Sequence, residues 1–248
     1  MKTCNILGVN ISVTDMKETV SYICNNLEIL KGNYICVSSV HTTVMSYEDE
    51  KYRQIQNAGV MALPDGGPLS VVSRMRGFKE GERVTGPDLM EELFNISEEK
   101  GYTHYFYGST QETLDELKIK LSEKYPKLNI VGMYSPPFRK LTEEEDDTII
   151  DNINRSNAEF IWVGLGAPKQ EIWMYEHRNK VNGLMLGVGA GFDYHAEKIK
   201  RAPKWMQKYS LEWLYRLCQE PKRLFKRYMN TNLKFIWRIY RETINISK

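Results

Sequence analysis

The segment that most constrains the fold of this chain is residues 160–171, with the sequence FIWVGLGAPKQE. Two glycines and a proline interrupt an apolar run, and a polar, helix-compatible stretch follows from Lys169. In open α/β sheets, a strand, a glycine turn and a helix in this order form a ligand crevice at the carboxyl end of the strand. Backbone N–H groups can approach a phosphate there, and the helix N-terminus favours its negative charge. We therefore predict an α/β sheet with Lys169 and Gln170 near a bound anion or sugar; a βα turn that binds no ligand is the alternative.

Apolar runs and helix-compatible segments alternate along most of the chain. Ser109 with Glu112 and Thr142 with Glu145 have the spacing of capping boxes, which mark helix starts. The run 104–132 has the length of a βαβ unit, in which the two strands pair in parallel. The alternation predicts an α/β fold with a Rossmann-like, doubly wound, mostly parallel sheet. Strands are predicted at residues 34–37, 60–63, 104–107, 129–132, 160–163 and 184–187.

Charge is distributed unevenly over the 248 residues. Residues 196–248 hold 14 Lys and Arg against 4 Asp and Glu, a net charge of +10, whereas residues 1–195 hold 20 against 28, a net charge of −8. From Pro203 no strand is evident, and basic, aromatic and leucine residues recur at helix-like intervals in segments divided at Pro221. We therefore predict an α/β core at 1–195 and a basic, aromatic-rich helical C-terminal appendage at 196–248.

This basic appendage implies an anionic partner, which can be a membrane surface, a nucleic acid or a phosphorylated substrate. A basic amphipathic helix can lie in a membrane interface, where aromatic and leucine side chains enter the boundary region. Packing of these aromatic side chains on the core, as a helical cap, is the alternative.

Four widely spaced cysteines, Cys4, Cys24, Cys36 and Cys218, form no Cys-x-x-Cys pair. Buried free thiols in a reducing cytoplasm are therefore expected rather than disulfides or a zinc site. No apolar run approaches the ~20 residues of a transmembrane helix, and the N-terminal residues lack the apolar core of a signal peptide.

Asp65 is the strongest candidate for a reacting group. It follows a predicted strand within the sequence LPDGG, where a carboxylate would face the crevice and could act as a general base. An Asx-turn residue that only shapes the loop is the alternative. The glycines at 187–191 follow Gly-x-Gly-x-Gly rather than the dinucleotide pattern, and they lie late in the chain. The sequence has no His-Glu-x-x-His, Asp-x-Asp or Gly-x-Ser-x-Gly motif, so neither a metal site nor a nucleophile elbow is indicated.

Several stretches together resemble the WecG/TagA/CpsF family of bacterial glycosyltransferases, glycosyltransferase family 26. They run in family order and cover most of the chain from about residue 34 onward. The matching stretches are LPDG at 63–66, ERVTGPDLM at 82–90, VGLGAPKQEIWM at 163–174, GVGAGFDYHA at 187–196 and KRAPKWMQKYSLEWLYRLCQEPKRLFKRY at 200–228.

The resemblance implies an inverting transfer of an N-acetylmannosamine-type sugar from a UDP-sugar donor to a polyprenyl-diphosphate-linked GlcNAc acceptor. It places the protein at the cytoplasmic face of the plasma membrane, peripherally associated, in the synthesis of teichoic acid, capsule or common antigen. A homo-oligomer is compatible with the resemblance, whereas a nucleic acid partner is not expected.

The resemblance also implies roles for individual residues. Asp65 would be the base, and Arg83 would contact donor or acceptor. The C-terminal arginines would close over the active site with the tail and supply charge for the departing diphosphate, so that no metal or other cofactor is expected. The implied catalytic residues are Asp65, Arg83, Arg216, Arg223 and Arg227, and the implied substrate-binding residues are Ser39, Gly166, Lys169, Gln170, Gly189 and Gly191.

The chain departs from the family pattern at two places. Many members have Thr-x-Asn where this chain has Val37, Ser38 and Ser39. Serine is shorter than asparagine and lacks the amide, so a contact would be lost or mediated by water. Glu197 stands where a glycine is expected, which would restrain the hinge before the tail.

Two other functions remain open from the residues alone. A nucleotide-dependent oxidoreductase would use the Rossmann-like sheet, although the first βα turn lacks a dinucleotide fingerprint. A nucleic-acid-binding module would use the basic tail and would show steep salt dependence.

Overall fold

The computed structural model describes residues 1–246 of the chain. The strands are β1 Thr3–Ile6, β2 Val9–Ser12, β3 Tyr34–Ser38, β4 Met61–Pro64, β5 Thr103–Gly108, β6 Asn129–Tyr134, β7 Phe160–Gly164 and β8 Leu184–Gly187. The helices are α1 Met16–Leu30, α2 Val40–Glu48, α3 Glu50–Ala58, α4 Gly67–Met75, α5 Gly86–Lys100, α6 Gln111–Lys124, α7 Glu143–Arg155, α8 Lys169–Glu176, α9 Gly191–His195, α10 Lys204–Lys208, α11 Glu212–Gln219 and α12 Pro221–Ile246.

The predicted α/β fold is confirmed. Six strands form one sheet in the order β4-β3-β8-β7-β5-β6, and β3–β8, β8–β7, β7–β5 and β5–β6 all pair in parallel. Strands β1 and β2 form a separate antiparallel hairpin. The central strand β7 is an unbroken apolar run and is buried from Phe160 to Val163, as expected for a strand covered on both faces. The fold is Rossmann-like, with flanking helices and a helical C-terminal segment.

The two predicted capping boxes had different outcomes. Thr142 caps α7, with its hydroxyl accepting from the backbone N–H of Glu145 and the Glu145 carboxylate accepting from the Thr142 N–H. The box at Ser109 was wrong, because Thr110 is the N-cap of α6 and its hydroxyl accepts from Thr113 N. Ser109 has φ +61, a left-handed conformation unlike the extended backbone of an N-cap residue.

The chain divides into two compact units. The first comprises residues 1–16, 37–85 and the chain from Arg201, and the second comprises residues 17–36 and 86–200. The core of the first unit contains apolar residues of the β1–β2 hairpin together with Val44 of α2, Leu69 of α4 and Phe235 of α12. The C-terminal helix therefore contributes to a core that also contains the N-terminal hairpin.

The core of the second unit is aromatic. Phe94 of α5 packs edge-on against His104 of β5 and Trp162 of β7. Trp162 Nε1 donates to His104 Nδ1 over 3.0 Å. Burial lowers the pKa of His104 to about 3, so this histidine is neutral and belongs to the core.

The tail is helical, as the sequence predicted, with no strand among its described residues and with α12 beginning at Pro221. Helix α12 has two apolar faces. Leu224 and Phe235 on one face are buried, whereas the other face is exposed. The exposed face is called the exposed stripe and consists of Phe225, Met229, Leu233, Ile236, Trp237, Tyr240 and Ile244. One side of α12 thus packs in the core, and the opposite side has exposed aromatic side chains that are available for an interface.

All four cysteines are free, as predicted, and Cys4 and Cys36 are buried. The expectation of burial was wrong for Cys218, which is exposed on α11, and Cys24 is only partly buried. Within residues 1–246, none of the helices combines the length and the apolar character needed to cross a membrane. The assignment of separate functions to residues 1–195 and 196–248 stays a prediction.

Candidate active site

The glycine loop, residues 164–169 between β7 and α8, is held by hydrogen bonds with Gln170, the residue that follows it. Gly166 has φ +76, which favours glycine, and a Cβ at this position would have no atom within 4 Å. Its N–H donates to Gln170 Oε1 over 3.2 Å. Lys169 begins α8 and is exposed. The loop therefore has open space at Gly166 and a cation beside it.

Gln170 braces this loop rather than extending into solvent. It is 4% exposed, and its Nε2 donates to Glu171 Oε1 over 2.8 Å. A Cβ built at Gly189 would lie 3.5 Å from Gln170 Oε1, and one at Gly187 would lie 3.2 Å from Nε2. The Gln170 amide thus lies against the turns that follow both β7 and β8. Ligand contact by Lys169, Gln170 and Gly189 stays a prediction.

Gly191 has a packing role in the structure. It begins the five-residue helix α9, and a Cβ there would lie 2.6 Å from Met90 Sδ of α5. His195 at the end of α9 donates from Nε2 to the Pro87 carbonyl over 3.0 Å. Two residues of the GVGAGFDYHA stretch therefore fix α9 to the start of α5.

Asp65 lies directly after β4, in the first unit. Its backbone N–H donates to the Ser38 carbonyl at the end of β3 over 2.8 Å, and the residue is partly buried. Gly66, the N-cap of α4, provides no side-chain cap for that helix. A partly exposed carboxylate at a strand end can accept a proton from a bound hydroxyl group.

Ser39 is the N-cap of α2. Its hydroxyl accepts from Thr42 N over 3.4 Å, and Thr42 Oγ1 accepts from Ser39 N over 2.8 Å. Serine and asparagine are both favoured N-cap residues, so the departure from the family's Thr-x-Asn keeps the cap. Substrate contact by Ser39 stays a prediction.

Arg83 contacts the tail through two side chains. Its Nη1 donates to Glu212 Oε2 over 2.7 Å, and its Nη2 to Gln207 Oε1 over 3.4 Å. Arg201 contacts the same pair, with Nε 3.2 Å from Glu212 Oε1 and Nη2 3.2 Å from Gln207 Oε1. We call these four residues the arginine cluster. Sequence reasoning missed Arg201, Gln207 and Glu212, although they lie within the matching stretch 200–228.

The tail also lies against the loop that contains Asp65. A Cβ at Gly67 would be 1.6 Å from Ser210 Oγ and 2.2 Å from Ser210 Cβ. Only glycine permits this approach. Ser210, between α10 and α11, therefore contacts the backbone two residues after Asp65.

Arg216 and Arg223 converge on Glu220, another residue that the sequence analysis did not single out. Arg223 donates from Nε and Nη2 over 2.8 and 2.5 Å, and Arg216 Nε lies 3.7 Å away. The hydrogen bonds from Arg223 hold the pKa of Glu220 below its ordinary value. The structure thus brings together two of the three predicted tail arginines around one carboxylate.

Arg227 contacts different groups. Its guanidinium lies 5.3 Å from the centre of the Tyr228 ring. Burial and, secondarily, the charge of Arg227 lower the pKa of His41 on α2. His41 is therefore neutral near pH 7, and it is a further residue near the predicted site that sequence reasoning left unassigned.

Glu197 has φ +59, which explains why glycine is expected there, since the left-handed conformation is costly for other residues. Its carboxylate lies 3.0 Å from Lys120 Nζ of α6. The neighbouring Lys198 Nζ lies 2.9 Å from Glu112 of the same helix. The segment before the tail is thus held to α6 by two ion pairs.

Among the described residues, no group of three or more His, Cys, Asp and Glu side chains has the arrangement of a metal site. The predicted independence from metal stays a prediction, to be tested by activity.

Comparison with known proteins identifies a family and a relative that each cover most of the chain. The model of the Glycosyl transferase WecG/TagA/CpsF family matches residues 4–248. The chain is 28% identical over 224 residues to the N-acetylglucosaminyldiphosphoundecaprenol N-acetyl-beta-D-mannosaminyltransferase of Bacillus subtilis (strain 168), and the alignment covers 85% of each protein. These matches confirm the resemblance seen in the motifs and favour a glycosyltransferase over an oxidoreductase or a nucleic-acid-binding module.

Proposed function

Because the chain belongs to the WecG/TagA/CpsF family of glycosyl transferases, we propose that it transfers an N-acetylmannosamine-type sugar from a UDP-sugar to a polyprenyl-diphosphate-linked GlcNAc. The name of the B. subtilis relative specifies an N-acetylmannosaminyl transfer and an N-acetylglucosaminyldiphosphoundecaprenol substrate. The product enters the synthesis of a cell-surface polysaccharide. The observation that carries the proposal is the family match over residues 4–248, which includes every residue assigned to the reaction.

Asp65 acts as the general base in this proposal. An inverting transfer occurs in one displacement, so the acceptor hydroxyl must lose its proton as it attacks the anomeric carbon. The position of Asp65 after β4 and its partial exposure support this role.

Arginines stabilise the charge that develops on the departing diphosphate. Guanidinium groups bind phosphate oxygens in a fixed geometry and keep their charge at any working pH. Arg83, Arg216, Arg223 and Arg227 are the proposed groups. The polar contacts of Arg83 with the tail and of Arg216 and Arg223 with Glu220 support a role for an ordered tail in assembling them.

In this proposal, the glycine loop and the turn after β8 bind substrate. The open space at Gly166 and the exposed cation of Lys169 support binding of a phosphate or sugar there. Gln170, Gly189 and Gly191 maintain the shape of these turns, and Ser39 contributes from the start of α2.

The tail also contacts the cytoplasmic face of the membrane, where a lipid-linked acceptor would be presented. The exposed stripe of α12 supports this role, because apolar and aromatic side chains can enter the interface. The net charge of +10 over residues 196–248 adds attraction to anionic lipid.

A panel of UDP-sugars incubated with a short-chain prenyl-diphosphate-GlcNAc, read by mass spectrometry, tests the function. We expect a product heavier by one N-acetylhexosamine when the donor is UDP-N-acetylmannosamine, with release of UDP. An acceptor that lacks the GlcNAc is the matched control. Absence of product from every UDP-sugar would contradict the proposed function.

We further expect transfer without a divalent metal. The reason is that arginine side chains can supply the positive charge at the diphosphate. Activity after treatment with EDTA should equal that of the untreated enzyme. Loss of turnover with EDTA and recovery with magnesium or manganese would show that a metal takes part.

A further inference from the structure

In the arginine cluster, the guanidinium groups of Arg83 and Arg201 both contact the same two side chains, those of Glu212 and Gln207. Each oxygen of the Glu212 carboxylate is paired with one guanidinium group. Oε2 lies 2.7 Å from Arg83 Nη1, and Oε1 lies 3.2 Å from Arg201 Nε. Gln207 Oε1 accepts from both arginines, over 3.4 Å from Arg83 and 3.2 Å from Arg201. The Arg83 guanidinium is thus held at two of its nitrogens by two different side chains.

The cluster is also largely shielded from water. The side chains of Arg83 and Glu212 are each 19% exposed, and that of Arg201 is 27% exposed. Two guanidinium groups repel each other, and the shared carboxylate offsets this repulsion because it lies in contact with both. The three charged groups keep a net charge of +1, which remains attractive to an anion.

Further contacts fix the tail residues of the cluster. Gln207 Nε2 donates to the Ala202 carbonyl over 2.7 Å, which orients the amide so that its oxygen faces the arginines. Ser210, two residues before Glu212, lies against the backbone of Gly67. The Glu212 carboxylate therefore belongs to a segment that is held at the Asp65 loop.

We propose that Glu212 is a positioning residue that orients Arg83, and with it Arg201, to bind a substrate diphosphate. The inference rests on the proposed function, since a diphosphate is present in both the donor and the lipid-linked acceptor. Arg201 is assigned as a second guanidinium for that group, and Gln207 completes the orientation. The tail thus orders Arg83, which belongs to another part of the chain, and also supplies charged groups of its own.

Replacement of Glu212 by glutamine tests this role with little change in size. The amide is uncharged and has an NH2 donor in place of one carboxylate oxygen, so it can no longer pair a separate oxygen with each arginine. A misplaced catalytic group can lower the rate by up to ~10²-fold, so we expect kcat/KM to fall by ~10- to 100-fold. Glu212→Asp keeps the charge and should recover part of the loss. The substrate whose KM responds, UDP-sugar or acceptor, identifies the diphosphate that the arginines bind.

A purely structural role would behave differently. If Glu212 acts through Arg83, Glu212→Gln should cause a smaller loss of kcat/KM in a protein that already carries Arg83→Ala than in the wild type, and the remaining loss should come through Arg201. Independent, multiplying losses in the double variant would contradict the proposal. Glu242→Gln is the matched control, because Glu242 forms a similar ion pair with Arg76, at 2.6 Å, also in the first unit. This control should keep wild-type activity.

Binding measurements separate this inference from the proposed function. Calorimetry with UDP, inorganic pyrophosphate and the short-chain acceptor compares the full-length wild type with Glu212→Gln. Weaker binding of at least one diphosphate by the variant supports the inference even if the wild type transfers no sugar in the panel. Equal affinities together with equal kcat/KM would overturn it, as would a wild type that binds none of the three probes.

Discussion

At the scale of single residues, several predicted site residues also maintain the local structure. Gln170 binds the backbone of the glycine loop, and Ser39 caps α2. Asp65 differs from Gln170 in burial, because it is only partly buried at the end of β4. Replacing Asp65 therefore tests its proposed chemical role with less disturbance of packing than replacing Gln170 would cause.

We expect Asp65→Asn to lower turnover by ~10²–10⁴-fold, which is the usual contribution of a positioned general base. The amide has nearly the same shape but cannot accept the proton, so thermal stability and UDP binding should be retained. Initial rates with the short-chain acceptor provide the measurement. Asp151→Asn, at an exposed position of α7, is the control. Turnover near the wild-type rate would instead assign Asp65 to shaping the loop.

At the scale of elements, the tail and the Asp65 loop meet through a glycine. Gly67 begins α4 with a φ outside the left-handed region, so its own backbone tolerates alanine. The neighbouring Ser210 does not tolerate alanine at position 67, because the new methyl group would occupy the position of the Ser210 side chain. The contact between α4 and the segment linking α10 to α11 therefore depends on the absence of a single Cβ.

Gly67→Ala should displace the Ser210 segment and lower kcat/KM by ~10-fold or more, since small displacements of catalytic groups are costly. Ser210→Gly should restore activity in the double variant, because the nearest atom to the added Cβ would then be no closer than Ser210 Cα, at 3.5 Å. Ser210 has φ +61, where glycine is well tolerated. Steady-state kinetics and melting curves of both single variants and the double variant provide the measurement. Failure of Ser210→Gly to restore activity would contradict this account.

At the scale of the whole molecule, the tail has structural and surface roles together. Leu224 and Phe235 are buried, and Phe235 belongs to the core that contains the N-terminal hairpin. Lys234 and Arg238 also contact Glu48 of α2, each over 2.8 Å. Removal of the tail would expose this core, so membrane contact is better tested by surface substitutions in the full chain.

We expect the full-length protein to bind vesicles that contain anionic lipid at low salt. Neutralising Lys222 and Lys226, both exposed near the start of α12, should weaken binding by about fivefold each, corresponding to ~1 kcal/mol per basic residue. Cosedimentation gives the affinity. Activity on a short-chain acceptor should be unchanged. Lys17→Gln and Lys100→Gln are matched exposed controls in the second unit. Equal vesicle binding by all variants would contradict a membrane role for this surface.

The sequence by itself determined the features that depend on neighbours along the chain. The apolar runs at 160–163 and 184–187 predicted β7 and β8, and the spacing of Thr142 and Glu145 predicted the start of α7. The motifs also identified the family and singled out Asp65, Arg83 and the tail arginines. Such features are readable because strand pattern, turns and caps depend on residues within a few positions of each other.

Only the tertiary structure decided which distant residues meet. Arg83 and Glu212 are 129 positions apart, and the approach of Ser210 to Gly67 has no local signal in either segment. The same holds for the two faces of α12, since the apolar pattern alone does not say which face meets the core. These contacts depend on how complete elements pack, and packing is set by the shapes and charges of all the neighbouring surfaces together.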